Sequence, residues 1–245
     1  GWKVQLGAIG IIAVATWAAF VLTPVAGPGT DFKALGVTEA GQTLNGLWAH
    51  WNMGANFAAA FDQWFLNLFP RETPFVFNNG GYQTLNFVPA LITMILGLMA
   101  GENLRSEKTP GEKLNWLLKA GGLCLVLALV TGTTLCPVIK RLWTPSWALY
   151  SGAVVLWAFA LFYWFIDIKG RKAWTFPLVV VGMNSIAIYV AYQLTAGWIR
   201  SVGRTWLGND LFTGTYGALA SSLLVLGVLW TFCWWLYRRK VFIRI

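Results

Sequence analysis

The 245-residue sequence is poor in charged residues, in histidine and in cysteine. Asp, Glu, Lys and Arg make up 11% of it, whereas 57% is apolar and 16% is aromatic. Soluble domains carry about 25% charged residues, so this composition excludes an ordinary soluble globular protein. The three cysteines are scattered and His50 is the single histidine, so we expect neither a disulfide framework nor a metal site.

The short motifs of several common catalytic sites are also absent from the sequence. It has no P-loop, no Gly-x-Gly-x-x-Gly fingerprint, no nucleophile elbow around a serine and no paired carboxylates. The motifs therefore give no support for a nucleotide-binding fold or a serine hydrolase.

Six long apolar runs account for most of the chain. Each has about the 20 residues that a helix needs to cross a hydrocarbon core of about 30 Å, and none carries a charge near its middle. The sequence predicts an all-α, polytopic transmembrane helix bundle that forms a single domain over residues 1–245. The predicted spans are 4–22, 84–101, 116–135, 147–166, 176–198 and 216–237.

The distribution of basic residues orients these spans. If the first span runs outward from the cytoplasm, 12 of the 18 lysines and arginines lie inside and 6 lie outside. The positive-inside rule then places the C-terminus in the cytoplasm. Because this bias also accounts for the net charge of +9, we exclude nucleic acid as a partner.

The long loop 23–83 lies on the outer side in this orientation. Apolar residues recur in it at helical spacing and predict an amphipathic helix through Phe57, Phe61, Trp64, Phe65 and Leu68. This helix lies in the membrane interface or packs on the bundle, or alternatively it covers a site as a lid.

Two titratable residues of this loop are candidates for chemistry. Asp62 lies opposite the apolar stripe of the predicted helix, where we expect a solvated or capping role. We expect a structural role for His50, with general-base catalysis as the alternative because its unperturbed pKa is near neutral.

Polar residues inside the fifth predicted span are the best candidates for a binding site. At 100° per residue, one arc of about 140° holds Asn184, Ser185, Tyr189 and Tyr192. This arc lines a substrate or cofactor tunnel, or it makes interhelical hydrogen bonds worth about 0.6 kcal/mol per pair. Asn86, at the outer start of the second span, is placed to face the same cavity.

A basic cluster, Lys169, Arg171 and Lys172, follows the fourth span. Two interpretations of it remain open. The positive-inside bias explains the cluster, or its charges bind the phosphates of a cytoplasmic ligand.

Four segments, taken in order, carry a resemblance to a known family. They are Leu-Gly-Leu-Met-Ala-Gly at 96–101, Pro-Val-Ile-Lys-Arg-Leu-Trp-Thr at 137–144, Gly-Met-Asn-Ser-Ile-Ala-Ile-Tyr-Val at 182–190 with Asp-Ile-Lys-Gly upstream at 167–170, and the basic end at 237–245. From about residue 55 to 245 the chain resembles the C-terminal half of the heparan-α-glucosaminide N-acetyltransferase family, and most closely its uncharacterised bacterial relatives.

The resemblance implies a transmembrane enzyme that takes acetyl-CoA from the cytoplasmic side and acetylates a glucosamine amine on the far side. It places the catalytic histidine in the other half of the family's bundle, upstream of this chain, so that role is not carried onto His50. The family's Gly-Met-Asn-Ser maps onto 182–185, and its Ile-Asp-Arg maps onto 61–63.

Two further family motifs fall on the outer side. Asp-Pro-Glu-Gly maps onto 78–81 and Pro-Val-Asn-Lys onto 137–140, which puts Asp62, Tyr82 and Lys140 on the acceptor side. The chain departs from the family at Gln63, Asn78, Gly80 and Ile139. These departures affect the identity of the acceptor more than that of the acyl donor.

We therefore expect the C-terminal part of a longer membrane acyltransferase-like protein in a bacterial inner membrane. The expected co-substrate is acetyl-CoA, the acceptor an amino sugar, and the surroundings a lipid bilayer, with a homo-oligomer as a possible assembly. Two other functions stay open: a transporter of amino sugars or similar small solutes, and a non-catalytic membrane scaffold. Thioester turnover distinguishes the enzyme from both.

Overall fold

A computed structural model describes residues 1–37 and 43–243, and these residues form helices and loops without a strand. The helices are α1 Trp2–Val21, α2 Phe57–Leu66, α3 Phe87–Arg105, α4 Pro110–Thr134, α5 Pro145–Tyr163, α6 Phe176–Gly182, α7 Ser185–Leu207 and α8 Gly217–Arg238. Five helices of the described chain are long and apolar enough to cross a membrane, and the bent pair α6–α7 brings the number to as many as six. The prediction of an all-α, polytopic membrane protein is confirmed.

The chain divides into two compact units, residues 1–164 and 165–245. The first unit contains α1 to α5 and the outer loop, and the second contains α6 to α8. The single transmembrane domain over 1–245 stays a prediction.

The core of the first unit lies between α3, α4 and α5. Its buried residues are mostly small or aliphatic: Ile92, Leu96, Ala100, Leu117, Cys124, Ala148, Ala153, Leu156 and Ala160. Gly121 of α4 lies against the ring of Trp157 on α5, and a Cβ at this glycine would come 2.5 Å from the indole nitrogen. The same indole donates a hydrogen bond to the Leu118 carbonyl at 3.2 Å. Small residues thus allow α4 and α5 to pack closely, as is typical of membrane helices.

The helices extend beyond the predicted spans 84–101 and 116–135, because α3 continues to Arg105 and α4 begins at Pro110. A capping box starts α4 ahead of its apolar run. The Thr109 N–H donates to the Glu112 carboxylate at 2.8 Å, and the Glu112 N–H donates to the Thr109 hydroxyl at 3.4 Å. Hydropathy located the apolar run, whereas the cap determines where the helix begins.

The fifth predicted span, 176–198, is not one continuous helix. It is bent by 67° where α6 ends and α7 begins, and Asn184 lies between the two helices with a non-helical backbone. Asn184 therefore does not share a helical face with Ser185, Tyr189 and Tyr192 as predicted. In the same unit, α7 and α8 pack through a small cluster of Ala196, Ile199, Val225 and Leu229.

Candidate functional site

The outer loop is fixed to α1 by an aromatic stack and by buried amides. Phe20 near the end of α1 stacks on Trp51 with ring centres 5.8 Å apart and planes at 7°. The side chain of Asn52 pairs with both backbone groups of Leu44, at 2.6 and 3.1 Å. Asn56 caps α2 by accepting the Ala59 N–H at 3.0 Å. These contacts attach the described residues of the loop to the first unit.

The predicted amphipathic helix exists as α2, but its buried face is the opposite one. Ala58, Ala59 and Asp62 are buried, whereas Trp64 is 61% exposed. The small residues allow close packing on the unit, and the aromatic stripe remains available for the membrane interface. The expectation of a solvated Asp62 is therefore wrong, since this side chain is only 3% exposed.

Asp62 binds the backbone that leads into α3. The Thr84 N–H lies 3.1 Å from each oxygen of the Asp62 carboxylate, at the start of a 3-10 turn that precedes the helix. Asp62 and the half-exposed Tyr82 line one small cavity of about 20 Å³. The exposed Lys140 does not line it.

His50 is held by the loop backbone. Its Nδ1 lies 2.9 Å from the Thr23 carbonyl oxygen, and because a carbonyl can only accept, Nδ1 carries the proton. The plane of the His50 ring stands at 84° to that of Trp51. These contacts match the expected structural role, and they leave one nitrogen able to accept a proton.

Asn86 connects two parts of the first unit. Its amide nitrogen donates to the Arg141 carbonyl at 2.6 Å, which ties the entry to α3 to the loop before α5. Asn86 borders a cavity of about 270 Å³ whose lining is otherwise almost entirely apolar, with Phe20 and Pro89 among its walls.

Both polar groups of the buried Asn184 side chain bind the segment that follows α8. Its amide nitrogen donates to the Val241 carbonyl at 3.2 Å, and its oxygen accepts the Ile243 N–H at 3.0 Å. Lys240 adopts a left-handed backbone conformation with φ 56°, which turns the chain back toward Asn184. This geometry matches the packing interpretation of Asn184, and the sequence carries no local signal for partners so far along the chain.

The other polar residues of α7 are open to the surroundings of the second unit. Ser185 is exposed, and Tyr189 is 66% exposed. The Tyr192 hydroxyl accepts a hydrogen bond from the Arg200 guanidinium at 3.4 Å. The basic cluster of Lys169, Arg171 and Lys172 is likewise exposed and surrounds a turn at Gly170, where φ is 65°. Tunnel and phosphate contacts at these residues stay predictions.

A large cavity in the first unit was not predicted from the sequence. It has a volume of about 650 Å³ and lies between α1, α3 and α4, at the end of the first unit that carries Lys108. Its polar lining comprises Gln5, Glu102, Asn103, Ser106, Lys108 and Lys119, and its apolar walls include Leu6, Met99, Trp116 and Leu123.

Two residues that line this cavity each carry a buried side-chain oxygen without a partner among the described residues. Asn103 is 5% exposed, and its nitrogen donates to the Lys113 carbonyl at 3.0 Å, but its Oδ1 is unpaired. Gln5 donates to Glu102 at 2.7 Å and also leaves its buried Oε1 unpaired. Buried acceptors without partners are rare and costly, so they indicate a ligand or water that donates N–H or O–H groups. Together with the two lysines, they suit an anionic molecule that has an apolar part.

No set of three His, Cys, Asp or Glu side chains in the described chain is placed to hold a metal ion.

Similarity to known proteins bears on what these sites do. No protein-family profile matches the sequence. The chain is 25% identical over 170 residues to heparan-alpha-glucosaminide N-acetyltransferase from Homo sapiens. It is distantly related to that transferase family. The aligned region covers 66% of this chain and 24% of the human protein, so the chain spans about a quarter of its curated relative.

Proposed function

We propose that this chain is the C-terminal part of a membrane N-acetyltransferase that transfers acetyl from acetyl-CoA to an amino sugar. The distant relationship to heparan-alpha-glucosaminide N-acetyltransferase carries this proposal. The proposed orientation has the C-terminus in the cytoplasm of a bacterial inner membrane, which follows from the positive-inside bias. The Lys108 end of the first unit then faces the cytoplasm, where acetyl-CoA is found.

The cavity at the Lys108 end suits the chemistry of the acyl donor. Acetyl-CoA carries phosphates, an arm with two amide N–H groups, and an apolar thioester end. Lys108 and Lys119 supply positive charge for phosphates, and the polar residues Gln5, Asn103 and Ser106 also line the cavity. Leu6 and Leu123 supply apolar walls. The exposed cluster around Lys169 is the alternative phosphate contact, and the two sites can be distinguished by mutation.

The acceptor side is proposed at the outer loop, with the exposed Tyr82 and Lys140 in contact with the sugar and Asp62 holding the loop behind them. In the transfer step a general base removes a proton from the acceptor amine, the amine nitrogen attacks the thioester carbonyl, and the CoA thiolate leaves. We assign the base to a histidine upstream of this chain. His50 is the alternative, since its Nδ1 makes the hydrogen bond to the Thr23 carbonyl and its Nε2 is not used in that bond.

The decisive experiment compares residues 1–245 alone with the same chain co-expressed with the upstream half, in proteoliposomes containing acetyl-CoA and glucosamine. We expect thioester consumption only with both halves. Turnover by 1–245 alone that is lost in His50→Ala would move the base to His50.

The donor site is tested by two matched pairs of substitutions. Lys108→Gln with Lys119→Gln removes two positive charges from the cavity, and Lys169→Gln with Lys172→Gln removes two from the exposed cluster. We expect the first pair to weaken acetyl-CoA binding at least tenfold and the second pair to change it less than twofold. The reverse result would place the phosphate contact at the cluster.

A transporter of amino sugars is the second candidate, and the bent pair α6–α7 favours it. Broken helices near mid-membrane form the substrate sites of many secondary transporters. Flux of labelled glucosamine into proteoliposomes without thioester consumption would support transport and contradict the transferase.

A further inference from the structure

The apolar cavity that Asn86 borders lies between two helices long enough to cross a membrane. Its walls come from the C-terminal half of α1, the first turn of α3 and the N-terminal half of α2. Among the described residues that line it, Thr16 and Asn86 are the only polar ones. The Asn86 nitrogen is already bonded to the Arg141 carbonyl. We call this cavity the α1–α3 crevice.

Water is a poor occupant of the α1–α3 crevice. Its volume of about 270 Å³ corresponds to about nine molecules of liquid water. Each ordered water needs about two to four hydrogen-bonding partners, which two polar side chains do not supply to so many molecules. Apolar cavities in proteins stay dry and take up apolar ligands instead. The lining therefore favours a hydrocarbon occupant.

The crevice opens at a depth where lipid tails surround a spanning helix. Ala15 both lines the crevice and is exposed, and it lies about 9 Å along the helix from the end of α1 at Val21. The 20 residues of α1 extend over about 30 Å, which is the thickness of the hydrocarbon core. Next to Ala15, the apolar side chains of Ile11 and Val14 are 72% and 64% exposed. The crevice is thus continuous with the surface of α1 that acyl chains contact in a bilayer.

The helix α2 covers part of the crevice. Phe57, Ala58 and Phe61 of α2 line it, and Ala58 is only 2% exposed. The ring of Phe57 meets that of the buried Phe20 edge to face, with ring centres 6.1 Å apart. A chain inside the crevice therefore contacts buried residues that lipids on the surface of the protein do not reach.

We propose that the α1–α3 crevice holds one acyl chain of a bilayer phospholipid, which enters beside Ala15. Phospholipid is the source because its tails already surround α1 at the depth of this opening. The bound chain fills the space between α2 and the two spanning helices and adds apolar contacts to all three. This inference is independent of the transferase proposal.

Photolabelling of the wild-type chain tests the proposal. The chain is reconstituted in vesicles of phosphatidylethanolamine and phosphatidylglycerol that contain a small fraction of phosphatidylcholine with a diazirine in the middle of one acyl chain. After illumination, the labelled residues are located by mass spectrometry. We expect label at the buried Phe20 and Ala58, as well as at the exposed Ile11, which any surrounding lipid reaches. Label at Ile11 with none at Phe20 or Ala58 would overturn the proposal.

A substitution at the opening tests the route of entry. Ala15→Phe places an aromatic ring there at an exposed position, so we expect the label at Phe20 and Ala58 to be lost and the label at Ile11 to remain. Val14→Phe is the matched control, because Val14 is the exposed neighbour of Ala15 and does not line the crevice. It should keep all three labels. Undiminished label at Phe20 and Ala58 in Ala15→Phe would contradict entry beside Ala15.

The same labelling with a diazirine fatty acid, at an equal mole fraction, distinguishes the source of the chain. We expect weaker label at Phe20 and Ala58 from the fatty acid than from the phospholipid. Stronger label from the fatty acid would overturn the assignment to phospholipid and make a free fatty acid the occupant.

Discussion

Asn184→Leu should detach the segment after α8 from the bend in the fifth span. The substitution keeps a side chain of similar size at a position with no exposed surface, but it removes the bonds to Val241 and Ile243. Each hydrogen bond contributes about 1 kcal/mol net, so we expect the free energy of unfolding of the second unit to fall by about 2 kcal/mol. The exposed Asn115 gives the control, since Asn115→Leu removes an amide whose side chain makes no hydrogen bond within the described chain.

A double-mutant cycle locates the cause of this loss. Deleting residues 241–245 removes the partners instead of the amide, and we expect a similar destabilisation. The deletion combined with Asn184→Leu should cost about as much as either change alone, because both remove the same contacts. The measurements are thermal unfolding and maleimide labelling of an Ile243→Cys variant, whose labelling should accelerate when Asn184 is leucine.

One outcome would refute this reasoning. If Asn184→Leu leaves stability and the labelling at residue 243 unchanged but weakens acetyl-CoA binding, the amide faces a ligand tunnel, as the alternative reading of the sequence predicts.

Three further predictions concern topology, packing and thiol chemistry. A reporter fused after the last residue should be cytoplasmic, and outside accessibility would reverse the orientation. Gly121→Ala should destabilise by about 1–3 kcal/mol in thermal unfolding because its methyl group meets Trp157, whereas Gly122→Ala, with nothing within 4 Å, should be neutral or stabilising. Burial raises the pKa of the Cys136 thiol, so its thiolate fraction at neutral pH is below that of a surface cysteine. Its maleimide labelling should be slow until the protein unfolds or the pH is raised.

Local rules predicted the elements of the fold well. Apolar run length located the spanning helices, and residue spacing located α2. Thr144 followed by Pro145 is a local signal for a helix start, and Thr144 does accept the Trp147 N–H at 3.4 Å. These signals involve residues within a few positions of one another, so they can be read without tertiary structure.

The candidate sites depended on contacts that no local pattern encodes. The expectation of a solvated Asp62 was wrong, because periodicity shows which residues of α2 share a face but not whether that face meets protein, lipid or water. Asn184 was read as part of one regular helix, and its partners come from another part of the chain. No sequence pattern marks Asn103, since polar residues are common at the ends of spans. Its unpaired oxygen and its place beside a cavity are visible only in the structure.

The contact between Asn184 and the segment after α8 also determines when the bend between α6 and α7 can be completed during synthesis. Its two partners lie 57 and 59 residues downstream. At about 5–20 residues per second, synthesis of that stretch takes about 3–12 s. Throughout this interval the amide of Asn184 has none of its final partners, although α6 and then α7 are already being synthesised. The insertion machinery therefore receives a pair of helices whose angle is not yet fixed by these hydrogen bonds. Both bonds can form only after residue 243 has been synthesised.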